Sequence, residues 1–312
     1  LGGDTERAVT WGRKAIDLAE QLCETEILAH ALNNVGTATY QYGDGEGRAL
    51  LERSLALALD AGLEEHAARA YTNIGSAAVT LRDYATADSA HETGMAYCRD
   101  HDLDSWLLYM SGWSARSHLD QGRWHEAADV ASYVVGNPRS SAAVRITPLA
   151  VLGSLRARRG DPEVWEPLDE GLTLARGTRE LQRIATVAGA RAEAHWHAGD
   201  LDAIADETDA ALQLALAKDD AWYAGEVAVW RARAGIEDDL APAALAEPYA
   251  HELAGAWQAS AARWTELGCP FDAALALASS DEEEALRESF EALQRLGATR
   301  TAARVARMLR RH

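Results

Sequence analysis

The sequence has few of the residues that break helices or build covalent frameworks. Its 312 residues include only 7 prolines and 3 cysteines, while alanine is abundant and runs of β-branched residues are rare. This balance favours helix throughout the chain. Cys23, Cys98 and Cys269 are odd in number, widely separated and free of any Cys-x-x-Cys pair. They therefore predict reduced thiols rather than a disulfide framework or a zinc site.

Long apolar runs and positive charge are also scarce. No run approaches the roughly 20 residues of a membrane-spanning helix, and the opening LGGDTERAVTW lacks the pattern of a signal peptide. The chain carries 30 Lys and Arg against 49 Asp and Glu, which gives a net charge of −19. Such a surface repels phosphate backbones. We therefore expect a cytoplasmic protein that binds neither nucleic acid nor membrane.

What the chain does contain is a repeat of helical segments that end in turns. Arginine replaces glycine in one of these turns, and the turn positions are Gly43, Arg82, Gly122, Gly160, Gly199, Gly235 and Gly268. The steps between them are 39, 40, 38, 39, 36 and 33 residues. A period in this range is typical of arrays of helix pairs.

A second column of residues supports the same register. Seven residues before each turn stand small side chains: Gly36, Gly75, Ala115, Gly153, Ala192, Ala228 and Ala261. Where two antiparallel helices cross closely, only a small side chain fits. The facing small residues of the second helices are predicted to be Ala87, Ala127 and Ala273, with Ala49 one place late.

Each repeat therefore predicts a helix, a short turn and a second helix, and neighbouring pairs bury one another's apolar faces. We expect an all-α fold, a right-handed superhelix of stacked antiparallel helix pairs. Residues 1–24 are predicted to be the second helix of a truncated first repeat, because Gly3 lies 40 residues before Gly43. Residues 25–280 are predicted to form six to seven pairs. This mismatch between chain start and repeat boundary indicates a fragment of a longer protein.

The last segment, 281–312, is predicted to be a capping helix pair that leads to a missing downstream domain. SSDEEEALRESFEALQRLG offers a serine N-cap, acidic residues in the first turn and a glycine stop. The final helix is basic, and its arginines recur on one face at Arg300, Arg304, Arg307 and Arg311. Such a stripe either prepares a junction to a DNA-binding domain, or is solvated or pairs with acids beneath it.

The segment YTNIGSAAVTLRDYATA resembles a tetratricopeptide repeat, clearly so over 26–135 and more loosely beyond. The distal half, including LARGTRELQRIATVAGARAEAHWHAGDLD, is similar to the helical region of large ATP-binding LuxR-type transcriptional regulators of the maltose-activator-like kind. That resemblance implies an upstream ATP-binding module and a downstream DNA-binding module, and no cofactor in this segment. Similar helical regions also occur beside nucleotide-cyclase domains, so the output domain stays open.

The stretch HWHAGD at 195–200 raises the possibility of a metal site. On a helix, residues two apart point about 200° apart, so His195 and His197 do not face one metal. We interpret the stretch as interhelix packing, with ligand contact as the alternative. No nucleophile motif is present, and we predict a non-enzyme. A pocket that gathers His30, His66 or His91 with carboxylates would revive an enzyme.

Binding is the favoured function, because first helices of such arrays line a groove that holds peptides or small ligands. The predicted groove residues are His30, Asn33, Asn34, Arg69, Thr72, Asn73, Tyr109, Trp113 and Arg116. Later repeats offer a less polar set: Thr147, Ser154, Thr186, Glu193, Trp222 and Glu226. Asn34 and Asn73 resemble the asparagines that hydrogen-bond a peptide backbone in tetratricopeptide grooves, although they also suit local capping.

The two groove arginines suggest a carboxylate-bearing ligand, with ion pairing to neighbouring acids as the alternative. We thus expect a non-catalytic sensor region that binds a peptide, protein or small-molecule effector and signals to other domains of the parent chain. The alternative is a protein–protein scaffold or autoinhibitory repeat domain of another ATPase or cyclase.

Overall fold

The computed structural model describes residues 5–40 and 45–310, and within these ranges the chain is all-helical, without strands. The all-α prediction is confirmed, and successive helices pack against one another as in an α-solenoid. None of the described helices is both long and apolar enough to cross a bilayer. The chain divides into two compact units, 1–117 with 137–144 and 118–136 with 145–312.

The helices of the first unit and its borders are α1 (Thr5–Leu22), α2 (Thr25–Tyr40), α3 (Gly45–Asp60), α4 (Glu64–Thr80), α5 (Tyr84–Asp100) and α6 (Asp104–Asp120). The chain continues with α7 (Trp124–Gly136), α8 (Ala142–Arg159), α9 (Trp165–Arg176), α10 (Leu181–Ala198), α11 (Ala203–Ala217) and α12 (Ala221–Arg233). A short 3-10 turn, Pro242–Ala244, precedes α13 (Glu247–Leu253), α14 (Trp257–Glu266), α15 (Pro270–Leu277), α16 (Glu283–Leu296) and α17 (Thr299–Leu309).

The predicted turns have the left-handed backbone that favours glycine. Gly122, Gly160, Gly199, Gly235 and Gly268 have φ between 75° and 84°, whereas Gly43 lies outside the described residues. Arg82 also adopts a positive φ, 62°. Its guanidinium donates to the carbonyl of Thr80 at 2.9 Å, so the side chain satisfies a helix-end carbonyl in this strained turn.

The column of small residues lies at helix crossings, as predicted. A Cβ added at Gly75 would lie 2.4 Å from Nε2 of His91, and one at Gly153 would lie 2.3 Å from Cδ2 of Leu168. The prediction of Ala49 as the facing small residue of the α2–α3 pair was wrong, however. Ala49 is exposed, and Gly47 is the buried residue whose carbonyl lies 2.8 Å from a Cβ added at Gly36.

The C-terminal pair α16–α17 differs from the expected end of a helical stack. Gly297 ends α16 with a φ of 75°, as predicted, but the N-cap is Glu282 rather than serine. Within the second unit, α17 packs against the C-terminal end of α10. The Arg300 side chain donates to the carbonyl of His197 at 3.1 Å, and Arg304 donates to the carbonyl of Trp196 at 3.3 Å.

These contacts correct the interpretation of the arginine stripe. The half-buried Arg304 stacks over the Trp196 ring at 4.0 Å and binds a helix-end carbonyl instead of an acid. Cations stabilise the negative end of a helix dipole, and this is the role of Arg300 and Arg304 here. Arg307 is exposed, and Arg311 lies outside the described residues.

Candidate ligand-binding face

The first helices α2 and α4 lie side by side, and polar residues one repeat apart meet between them. The Arg69 guanidinium lies 2.9 Å from Nδ1 of His30 and donates to Oδ1 of Asn34, also at 2.9 Å. The Asn73 amide donates to Oδ1 of Asn33 at 2.7 Å. The structure therefore brings together five of the nine predicted groove residues. We call His30, Asn34 and Arg69 the cationic notch.

The geometry determines the proton position on His30. A guanidinium only donates, so Nδ1 of His30 must accept and the ring is neutral in this arrangement. Burial lowers the pKa of His30, and the nearby Arg69 and His66 lower it further, against Glu26. Burial also lowers the pKa of Arg69, and no acidic group offsets it.

Arg69 differs in this respect from buried arginines of the second unit. Arg191 binds Asp169 at 2.6 Å and Glu207 at 2.7 Å. Among the described residues Arg69 forms no ion pair, and its hydrogen-bond partners are neutral. The ion-pairing alternative considered for Arg69 is therefore wrong.

The surroundings of the notch are mixed in charge. The His66 ring meets the His30 ring edge-on at 5.6 Å, and Nε2 of His66 lies 3.4 Å from Glu26. Glu65, one helical turn before Arg69 on α4, accepts a hydrogen bond from the indole of Trp106 on α6. His30 and His66, two of the histidines considered for an enzyme, thus lie near Glu26, and His91 is buried against Gly75.

Other predicted groove residues are buried, which corrects their assignment to an open wall. Asn33 and Thr72 are each 1% exposed, and Trp113 is 6% exposed. The Thr72 hydroxyl donates back to the carbonyl of Ala68 at 2.8 Å. Tyr109 and Arg116 are half-buried on α6. The two asparagines proposed as equivalent also differ: Asn34 accepts from Arg69, while Asn73 donates to Asn33.

Asn33 has a further property that sequence reasoning missed. Its Nδ2 is buried and has no hydrogen-bond partner among the described residues. An unsatisfied buried donor costs about 1–3 kcal/mol. Together with the unpaired Arg69 cation, it makes this part of α2 and α4 deficient in hydrogen-bond acceptors.

In the second unit, the later wall residues are also largely buried. Thr147, Ser154, Thr186 and Glu193 are 9% exposed or less, and only Trp222 and Glu226 remain half-buried. The first-helix face of these repeats is consequently a packing surface along much of its length.

The HWHAGD stretch is confirmed as packing. His195 lies 4.4 Å from the Trp165 ring and 3.1 Å from Asp200, whereas Trp196 packs against Trp230 at 5.6 Å. The His197 ring instead approaches Glu193 at 3.7 Å. The two imidazoles therefore have separate partners.

Glu193 belongs to a buried charged cluster that the sequence did not reveal. Arg158 donates to its two oxygens at 2.7 and 3.1 Å and stacks over Phe271 at 3.9 Å. Burial alone would raise the pKa of Glu193, but Arg158 and then His197 lower it to about 2. Burial lowers the pKa of His197, although Glu193 opposes this change. The available signals were the one-turn spacing of Glu193 and His197 and the one-repeat spacing to Arg158.

The described residues contain no group of three or more His, Cys, Asp or Glu side chains placed to hold a metal ion. No family model matches the chain, and no curated protein matches it either. The cationic notch is therefore assigned on its geometry.

Proposed function

We propose that this protein is a non-catalytic binding module whose cationic notch takes a carboxylate from a peptide or small-molecule effector. The observation that supports this proposal is Arg69, a partly buried guanidinium held by the neutral side chains of His30 and Asn34. A guanidinium presents paired donors that fit the two oxygens of a carboxylate. A ligand carboxylate would replace His30 as the partner of Arg69.

The negative charge of the rest of the chain favours selective binding of an anion at the cationic notch. The net charge of −19 repels anions in general, so a bound anion needs a local cation that is not already neutralised. Asn73 and the unsatisfied amide of Asn33 lie on the same pair of helices. The half-buried Asn73 provides a hydrogen-bonding group for the part of a ligand that extends beyond its carboxylate, whereas Asn33 is buried behind it.

In line with the resemblance described above, we propose that the module is the effector-binding region of a cytoplasmic LuxR-type regulator. Effector binding would shift the populations of conformations that neighbouring ATPase and DNA-binding modules sense. Saturating effector should then change the small-angle scattering curve of the protein. An unchanged curve at saturation would contradict this coupling but not the binding itself.

The binding proposal is tested with a library of N-acetylated pentapeptides that carry a free C-terminal carboxylate, and with the same library amidated. Thermal shift identifies binders, and calorimetry measures their affinities. We expect the free-carboxylate peptides to bind preferentially. Arg69→Met should weaken them roughly ten- to a hundredfold, since hydrogen bonds to charged groups contribute about 1.5–3 kcal/mol. Arg69→Lys should recover part of the affinity.

The matched control is Arg53→Met, because Arg53 is an exposed arginine of the same unit that pairs with Glu20 at 2.6 Å. It should bind as the parent does. Equal affinities for free and amidated peptides, or equal losses in Arg69→Met and Arg53→Met, would refute the assignment. Binding of a folded protein alone, with no carboxylate peptide bound, would favour the scaffold alternative.

A further inference from the structure

The connection between α12 and α13 departs from the repeat. It runs from 234 to 246, broken only by the Pro242–Ala244 turn, and is the longest stretch without α-helix inside the described residues 45–310. The other connections in this range are short turns. Long loops in compact helical domains often form binding sites.

This connection is held in place by specific contacts. Both oxygens of Asp238 accept from Arg231, at 2.7 and 2.9 Å, and the same guanidinium also binds Asp209 on α11. At the far end of the loop, the Ala246 amide donates to the carbonyl of Ala221 at 3.0 Å, and Leu245 is 7% exposed. The loop is thus fixed before any ligand arrives.

Together with the end of α12 and with α13, the loop lines a partly open cavity of about 450 Å³. Its apolar walls include Ala232 of α12, Leu240 and Leu245 of the loop, and Leu253 of α13. Ligand sites for small molecules occupy roughly 300–1,000 Å³ and combine apolar walls with a few polar groups. The cavity fits this description in size and in lining.

The charges at the cavity are of one sign. Among the residues that the structure describes, Glu237 and Asp238 are the ionisable ones that line the cavity, and neither is a cation. Asp238 is neutralised by Arg231, whereas Glu237 is exposed and forms no ion pair within the described part of the chain. A negative rim on a chain of net charge −19 disfavours anions and favours cations.

The geometry points to a second binding site, distinct from the cationic notch, for a small hydrophobic amine. The apolar body of the amine occupies the space between Ala232, Leu240 and Leu253, and its ammonium group faces Glu237. The cavity lies within the second unit, whereas the notch lies within the first. Loss of either site therefore leaves the other intact.

The test uses three probes with one eight-carbon body: octylammonium, 1-octanol and octanoate. Calorimetry with the full chain should show binding in that order of affinity. Octylammonium should exceed 1-octanol about threefold, as expected for an exposed ion pair. Octanoate should be the weakest, about tenfold below octylammonium, because the rim repels it. Glu237→Gln should remove the advantage of octylammonium over 1-octanol.

Ala232→Phe fills the cavity from an exposed helical position and should abolish binding of all three probes. Ala210→Phe, at an exposed alanine of α11 outside the cavity lining, is the matched control and should bind as the parent does. Circular dichroism verifies that both variants retain helix. No heat from any probe, unchanged binding by Ala232→Phe, or octanoate binding as tightly as octylammonium would each overturn the proposal.

Discussion

Glu193→Leu should be among the most destabilising single changes in the second unit. The Glu193 side chain is 3% exposed and that of Arg158 is 9% exposed, so the variant leaves a buried guanidinium without its hydrogen-bonded carboxylate, although Asp272 and Asp120 still attract it. Breaking a buried pair in this way costs roughly 3–5 kcal/mol. The pKa of Glu193 gives a similar figure. This pKa falls from 4.5 to about 2. At about 1.4 kcal/mol per pH unit, the change corresponds to about 3 kcal/mol of folding stability at neutral pH.

Hydrogen exchange measured by mass spectrometry is the assay, since it reports opening free energies segment by segment. Peptides from α8 and α10 should lose about 3–5 kcal/mol of protection in Glu193→Leu. Peptides from α2 and α4, in the other unit, serve as an internal reference. The control variant Glu291→Leu breaks a pair with Arg295 whose side chains are 59% and 71% exposed, and should cost about 0–1 kcal/mol.

The double variant Arg158→Met with Glu193→Leu separates the loss of a contact from the burial of a guanidinium that lacks its hydrogen-bonded carboxylate. A buried ion pair replaced by apolar side chains of similar volume is often neutral in stability, so most of the lost protection should return. If Glu193→Leu costs no more than Glu291→Leu, the cluster is not buried as described. If the double variant is as unstable as the single one, the burial of that guanidinium is not the cause.

Two further predictions concern the same unit. Gly153→Val should lower the free energy of unfolding by about 1–3 kcal/mol in urea titrations, because its Cβ would lie 2.3 Å from Leu168 Cδ2, and Leu168→Ala should partly rescue it. The pKa of Glu193 is depressed, so its contribution to the free energy of unfolding is present above about pH 4.5 and is lost as the pH falls towards 2. Glu193→Gln should therefore flatten the fall in the free energy of unfolding at low pH. Identical pH profiles for this variant and the parent would contradict the prediction.

The sequence predicted the helix pairs because their signals are local. The small residues at Gly75 and Gly153 and the turns at Gly122 and Gly160 recur at a spacing near 40 residues. The small residues reflect a close helix crossing, and the turns reflect a positive φ. The prediction of Arg82 as a glycine substitute succeeded for the same reason.

The sequence did not predict which polar residues are buried. Thr72 and Asn73 are neighbours on α4, yet Thr72 is 1% exposed, whereas Asn73, which donates to Asn33 of α2, is half-buried. A shift of about 100° per residue around the helix decides that outcome, and the repeat register was not sharp enough to resolve it. The notch became visible only when the side-chain partners of Arg69 were known.

The docking of α17 has a consequence for how the second unit folds. In an array where each repeat touches only its neighbours, ordering spreads stepwise and stability adds up repeat by repeat. Arg300 and His197 are 103 residues apart, and their contact joins the last helix to one near the middle of the chain. A loop of that length must close before the contact forms. We therefore expect the second unit to acquire its structure in one concerted, slow event, and a ribosome-bound chain lacking α17 to stay incompletely ordered.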